Sequence, residues 1–191
     1  MRRPRIASLA VAALASVVAG CGNERAQPPR GLTSALPEGK QQASFPGEGI
    51  AFSQPANWSR TIGEAPLVTI VFSGRAAIAV WRYPRREALP DSAPQLERAR
   101  RALIAAARAR DRTLEVTSSR VTRVRGVRAV ELVGTEQVGL ARRRVRSTHL
   151  YGQGAEIVVD AYAPPGEFDR LDRTAFLPLT ASLRLSRPLA P

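Results

Sequence analysis

The alternation of apolar and polar positions divides the chain into short strands and one long helix. Ile50-Ala51-Phe52-Ser53 alternates as a strand does, and Pro55-Ala56-Asn57-Trp58 turns out of it. Leu67 to Phe72 is apolar on both faces except at Thr69, which predicts an inner strand covered on both sides. Ser73-Gly74 turns it into a second strand, Ala76 to Tyr83, ending at Pro84. Ser92-Ala93-Pro94-Gln95 then fits a capping box with proline near the first helical position. From there to Arg110, Leu96, Ala99, Leu103 and Ala106 recur on one helical face, with Arg98, Arg101, Arg108 and Arg112 elsewhere. The stripe is rich in alanine, so this helix can lie close against a sheet.

Three segments of strand-like alternation follow: Leu114 to Val124, Val127 to Glu136, and Arg143 to Ala163 with a turn at Gly152-Gln153-Gly154. A turn centred on Gln153 places His149 opposite Ile157 and Arg146 opposite Asp160. One hairpin face is then Val145, Ser147, His149, Tyr151, Ile157, Val159 and Ala161; the other carries Arg144, Arg146, Thr148, Glu156 and Asp160. That register segregates apolar side chains and sets opposite charges across from each other. Phe168 to Leu177 is expected as a short closing helix, and Thr180 to Leu185 as a final edge strand.

The N-terminal pattern is of another kind. Met1-Arg2-Arg3-Pro4-Arg5 is basic, and Ile6 to Gly20 carries no charge over 15 residues, shorter than the roughly 20 that cross a bilayer as a helix. It ends in Val18-Ala19-Gly20-Cys21, which resembles the lipobox of bacterial lipoproteins. The alternatives are a stop-transfer anchor and an ordinary secretory signal with an incidental cysteine. Cys21 is the only cysteine of the chain and stands where acylation needs it, so lipidation at Cys21 is the expectation. The chain divides into a signal peptide at 1–20, the lipidated cysteine and a Pro- and Gly-containing tether at 21–46, and a domain at 47–191. The expected place is the extracytoplasmic face of the cell membrane.

Loss of residues 1–20 takes Arg2, Arg3 and Arg5 and no acid, which lowers the formal charge by three from +13 to +10. Lys40 is the sole lysine, and arginine and alanine are abundant even in the leader, so composition alone accounts for much of the arginine. Three arginine groups still stand out: the helix face, Arg120/Arg123/Arg125/Arg128, and Arg142-Arg143-Arg144. The last is a candidate anion- or partner-binding group, against the plainer reading of a solvated surface. Nucleic acid is not an expected partner, because the chain is exported and the arginines are not interleaved with stacking aromatics.

The order strand, Pro-x-x-Trp, hairpin, helix, antiparallel meander, short helix and last strand resembles the PsbP/Mog1-like families over residues 47–187. Ile50 to Trp58 carry the likeness at the start. Ala161-Tyr162-Ala163-Pro164 with Phe168, and Phe176 to Leu185 containing Ala181-Ser182-Leu183-Arg184, carry it at the end. The lipobox and tether resemble actinobacterial lipoproteins of this type. The resemblance implies an α+β fold, an antiparallel sheet of about six strands flanked by one long and one or two short helices. It also implies an accessory or binding role without an enzyme active site.

The inventory for chemistry is thin. His149 is the only histidine, which rules out a two-histidine metal site, and no Gly-x-Ser-x-Gly elbow, P-loop or dinucleotide fingerprint occurs. Ser147, His149 and Asp160 could form a Ser-His-Asp set, but the register above sends Asp160 to the face opposite His149. Glu131, Glu136, Glu156 and Asp160 sit among arginines on strands and are expected to form cross-strand ion pairs. Trp58 and Trp81 are expected to pack. No catalytic residue, metal or cofactor is expected. The leading expectation is a binding protein for an envelope protein or glycolipid; the alternative is a carrier of a small apolar ligand between helix and sheet, lined by the alanine face of residues 96–107.

Overall fold

The computed structural model of the chain describes residues 33–189, so the leader and Cys21 lie outside the described residues. Seven strands form the main antiparallel sheet: β3 (Ser59–Ile62), β4 (Leu67–Ser73), β5 (Ala76–Pro84), β6 (Glu115–Val124), β7 (Val127–Val138), β8 (Ala141–Gly152) and β9 (Ala155–Ala163). Their order is β3-β4-β5-β9-β8-β7-β6. A smaller sheet has β2 (Ile50–Gln54) between β1 (Gln41–Phe45) and β10 (Arg184–Leu185). Helix α1 (Ala93–Arg110) covers one face of the main sheet. On the other pack α2 (Pro165–Leu171), a π-helical stretch (Asp172–Phe176), α3 (Leu177–Ser182) and the small sheet.

The fold class is the expected α+β arrangement of an antiparallel sheet flanked by helices. At the start of α1, Gln95 Oε1 accepts the backbone N–H groups of Asp91 (2.8 Å) and Ser92 (3.1 Å), the half of the capping box that holds the chain entry. Leu96, Ala99, Leu103 and Ile104 then pack on Val121, Val130, Leu132 and Tyr151. The larger core lies on the opposite face, where Phe52, Phe168 and Phe176 are fully buried against Ile78, Val80, Leu150, Ile157 and Val159.

Several expectations are corrected. The β8–β9 turn is Gln153-Gly154, two residues with φ of 52° and 68°, and not a three-residue turn centred on Gln153. Gly152 therefore pairs with Ala155, His149 with Val158, Ser147 with Asp160 and Arg146 with Ala161. The half-step shift reverses which β9 side chains share a face with β8. Ser147, His149 and Tyr151 face α1 together with Glu156 and Asp160; Arg146 and Leu150 face the larger core with Ile157, Val159 and Ala161. At the C-terminal end, Thr180 to Ser182 belong to α3, and only Arg184–Leu185 pair with β2. β3 was not foreseen, and β1 falls inside the segment read as tether.

Two features tie the layers together. Arg146 donates from Nε and Nη2 to the two oxygens of Asp172, both at 2.7 Å, and from Nη1 to Glu131 at 2.8 Å. Burial opposes the charge of this guanidinium, but the bonds to Asp172 and Glu131 outweigh it and hold its pKa above the ordinary value. The second is a clasp on the N-terminal side. Ser34 N–H donates to Glu167 (3.1 Å), Ser34 Oγ accepts from Ala76 N–H (3.1 Å), Ala35 N–H donates to Ser73 Oγ (2.9 Å), and Trp58 Nε1 donates to the Ala35 carbonyl (3.3 Å). Trp58 thus packs the first loop, with its ring edge-on to Phe176 at 6.4 Å.

Removing one partner of a buried pair strands the other, so Arg146→Ala should cost about 3–5 kcal/mol in urea unfolding. Arg142→Ala, which breaks an exposed pair with Glu115, should cost under about 1 kcal/mol. Equal losses for the two would refute this account of the interlayer pair.

Candidate functional site

A cavity of about 120 Å³ lies between α1 and the sheet. Its two sides are chemically unlike. Helix α1 supplies Leu103, Ala106 and Ala107, with Arg110 at the C-terminal end. The small alanine side chains keep the helix close to the sheet while leaving this space over the longer residues of β8 and β9. The floor is Ala79 and Trp81 of β5, Ser147 and His149 of β8, and Asp160 and Tyr162 of β9, with Glu136 and Arg143 to one side. An open groove of about 420 Å³ shares Leu103 and Ala106 and runs over Leu89, Tyr151 and Glu156.

The alternation of β8 and β9 brings the floor's polar groups into one chain of contacts. Arg85 lies against Glu156, and Glu156 Oε1 is 2.7 Å from His149 Nδ1. His149 Nε2 is 3.0 Å from Ser147 Oγ, and Ser147 donates to Asp160 Oδ1 at 2.5 Å. Burial pushes the Glu156 carboxyl up, but the bonds and charges of His149 and Arg85 outweigh it and hold it below the usual glutamate range. Burial also raises the Tyr151 hydroxyl, and it lifts Tyr162 to about 12. Trp81 Nε1 is buried with no hydrogen-bond partner among the described residues.

Register therefore places Ser147, His149 and Asp160 together, contrary to the expectation that set Asp160 on the far face. The ordering Ser147–His149–Glu156 has the distances of a nucleophile, base and orienting carboxylate. One contact departs from that set: the serine hydroxyl has a carboxylate partner of its own in Asp160. Ser147 Oγ lies between Asp160 Oδ1 and His149 Nε2, so the hydroxyl is shared between the carboxylate and the ring. The Asp160 carboxylate would repel an oxyanion forming at Oγ. Ser147 also sits in mid-strand with both neighbours paired, so the adjacent backbone N–H groups are engaged in the ladder and form no oxyanion hole. The set can hold a hydroxyl or other polar group.

The three arginines named from the sequence do not share a face. Arg142 is exposed beside Glu115 at 3.4 Å. Arg143 turns toward the cavity, bonds Glu136 at 2.6 Å and lies 4.1 Å from the Tyr162 ring centre. Arg144 turns to the opposite face, bonds Asp169 at 2.6 Å and stacks on Phe168 at 4.5 Å. Alternation along β8 thus leaves Arg142 and Arg144 on one face and Arg143 on the other. Among the described residues no cluster of three or more metal-ligating side chains occurs, and no helix is long and apolar enough to cross a membrane. The role of Cys21 lies outside the described residues. Glu136 and Trp81, expected from the sequence to ion-pair and to pack, line the cavity, and Arg85, which the sequence did not single out, lines the adjoining groove just past the end of β5.

No protein-family model matches the chain, and no curated protein matches it in sequence. Solved structures do. The cyanobacterial PsbP (CyanoP) of a Synechocystis species superposes with a TM-score of 0.61 at 13% identity, over 86% of this chain and 100% of that one. LpqN, involved in cell envelope biogenesis of Mycobacterium tuberculosis, gives 0.54 at 16% identity over 77% and 91%. The Ran-binding protein Mog1p of Saccharomyces cerevisiae gives 0.52 at 8% identity over 78% and 97%. The chain has the PsbP/Mog1-like fold, as its sequence pattern implied; at these identities the likeness is one of fold.

The depressed carboxyl of Glu156 sets a pH dependence. A carboxylate held below its unfolded value of 4.5 contributes stability that is present above that pH and lost as the pH falls through the folded value. Thermal melts from pH 7 down to 3 should therefore lose less stability in Glu156→Gln than in the wild type. Parallel curves would refute the claim.

Proposed function

We propose that the protein is an exported lipoprotein, held at the extracytoplasmic face of the membrane through acylated Cys21, that binds another envelope component without turning it over. The observation that carries this reading is the cavity under α1, with a wall of small apolar residues and a floor of ordered polar ones. The fold likeness to LpqN supports an envelope setting, and the leader pattern supports the anchor.

Size favours one of the two kinds of ligand. Sites for whole drug-sized molecules run from about 300 Å³ upward, and a cavity of about 150 Å³ takes a single benzene. At about 120 Å³ the space under α1 accepts one side chain or one head group, not an acyl chain. The adjoining open groove suits an extended partner lying across Leu103 and Ala106. This favours a macromolecular partner over the carrier reading, in which an apolar ligand or glycolipid would be enclosed.

Crosslinking in intact cells, followed by affinity purification, tests this. The wild type should enrich one defined membrane complex. Cys21→Ser should lose it through misplacement, and Ala106→Trp should reduce capture by about ten-fold through filling the groove, with its melting temperature within about 2 °C of wild type. Recovery of a co-purifying lipid or glycan and no protein would replace this reading by the carrier. A turnover activity abolished by His149→Ala would sink the non-catalytic assignment.

A further inference from the structure

Along β6, β7 and β8, ion pairing sorts the arginines into two groups. Those of β8, and Arg120 of β6, each lie against a carboxylate. The tip of the β6–β7 hairpin is different. Arg123, Arg125 and Arg128 stand there without a carboxylate partner among the described residues.

The tip keeps these cations against two opposing costs. Arg123 and Arg128 are directly opposed in the antiparallel ladder, a placement in which like charges repel. Arg125 occupies the first position of the two-residue turn with φ of 49°, followed by Gly126 at 84°. That left-handed conformation suits glycine or asparagine and strains an arginine. Arg123 Nη1 donates to the Gly126 carbonyl at 3.0 Å, which fixes the guanidinium at the tip and leaves its charge uncompensated. Arg123 and Arg125 are exposed, and Arg128 is half-buried.

We propose that this hairpin tip is an electrostatic contact for an anionic membrane surface, its guanidiniums engaging lipid phosphates. A hairpin tip with three cations and no aromatic side chain from Arg123 to Arg128 suits a planar array of phosphates; a strand of nucleic acid would require a groove with stacking platforms. The clasp at Ser34 and Ala35 joins the sheet at Ser73 and Ala76, and the strand registers put the β6–β7 tip at the opposite end. Contact at the tip, together with attachment on the N-terminal side, lays the strands of the sheet along the bilayer. The proposal rests on the membrane setting proposed above, while the chemistry of the tip is independent of the anchor.

The test uses residues 22–191, which include every described contact of the core and carry no acyl chain. In sedimentation with vesicles, this chain should bind phosphatidylcholine containing phosphatidylglycerol, bind phosphatidylcholine alone far less, and release as salt rises. Replacing Arg123, Arg125 and Arg128 together by Gln should lower partitioning about a hundred-fold, at roughly five-fold per arginine. Arg142→Gln, at the other end of the sheet, should leave it unchanged. Arg125→Gly separates binding from folding: it should raise the melting temperature by about 2–4 °C through relief of the turn while weakening partitioning about five-fold. Wild-type partitioning by the triple variant, or equal binding to neutral vesicles, would overturn the proposal. So would displacement of the chain from the vesicles by an equal phosphate concentration of soluble polyglycerol phosphate, which would assign the tip to an envelope polymer. Failure of Cys21 to be acylated in cells would remove the anchor and leave the vesicle result standing.

Discussion

Strands β8 and β9 have protein packed on both of their faces, and the remainder of the molecule answers to that constraint. A strand buried on one side can send its polar residues to water. Here most side chains enter one of two interiors, so the charged ones there need partners, while the buried Thr148 Oγ1 has none among the described residues. Arg146 finds Asp172 and Glu131 on the side of the larger core. Ser147, His149, Glu156 and Asp160 find one another on the side of α1. The interlayer ion pair and the floor of the cavity are two answers to the same requirement.

The same constraint explains what could be read from the sequence. Element order, the capped helix and its alanine stripe were legible because helical and strand periodicities are local, and the fold class follows from them. The candidate site was not, because it depends on a single integer, the number of residues in the β8–β9 turn. Gln153 is a poor signal for a left-handed turn position, which Asn, Asp or Gly would have marked. The rule that like faces segregate then favoured the wrong register, since it assumes one wet face. With both faces covered, charge and apolar residues are mixed on each, and Asp160 sits beside Ser147 instead of across from Arg146. The small sheet was hard to foresee for another reason: β10 has two residues and is held by β2, far away in sequence.

Arginine abundance behaves in a comparable way. As a run, Arg142-Arg143-Arg144 looks like a single basic patch, yet the pleat turns Arg143 to the α1 side and Arg142 and Arg144 to the other, each with its own acid. The sequence-dispersed Arg123, Arg125 and Arg128 are the ones a hairpin gathers. Local charge density along a β-strand is therefore a poor guide to charge density in space.

The clasp has a mechanical consequence. A pull on the chain from the N-terminal side would meet Ser34 and Ala35 before it reached β1. Their bonds run to α2, to both ends of the β4–β5 turn and to the Trp58 loop, so tension is divided among separate elements and is loaded on them together. The β1–β2 hairpin behind them, pulled from its open end at Gln41 and Gln54, would unzip one pair at a time under far less force. The clasp thus acts as a strain relief, as on a cable where it enters its housing, and keeps load on the N-terminal segment away from the small sheet and the core it covers.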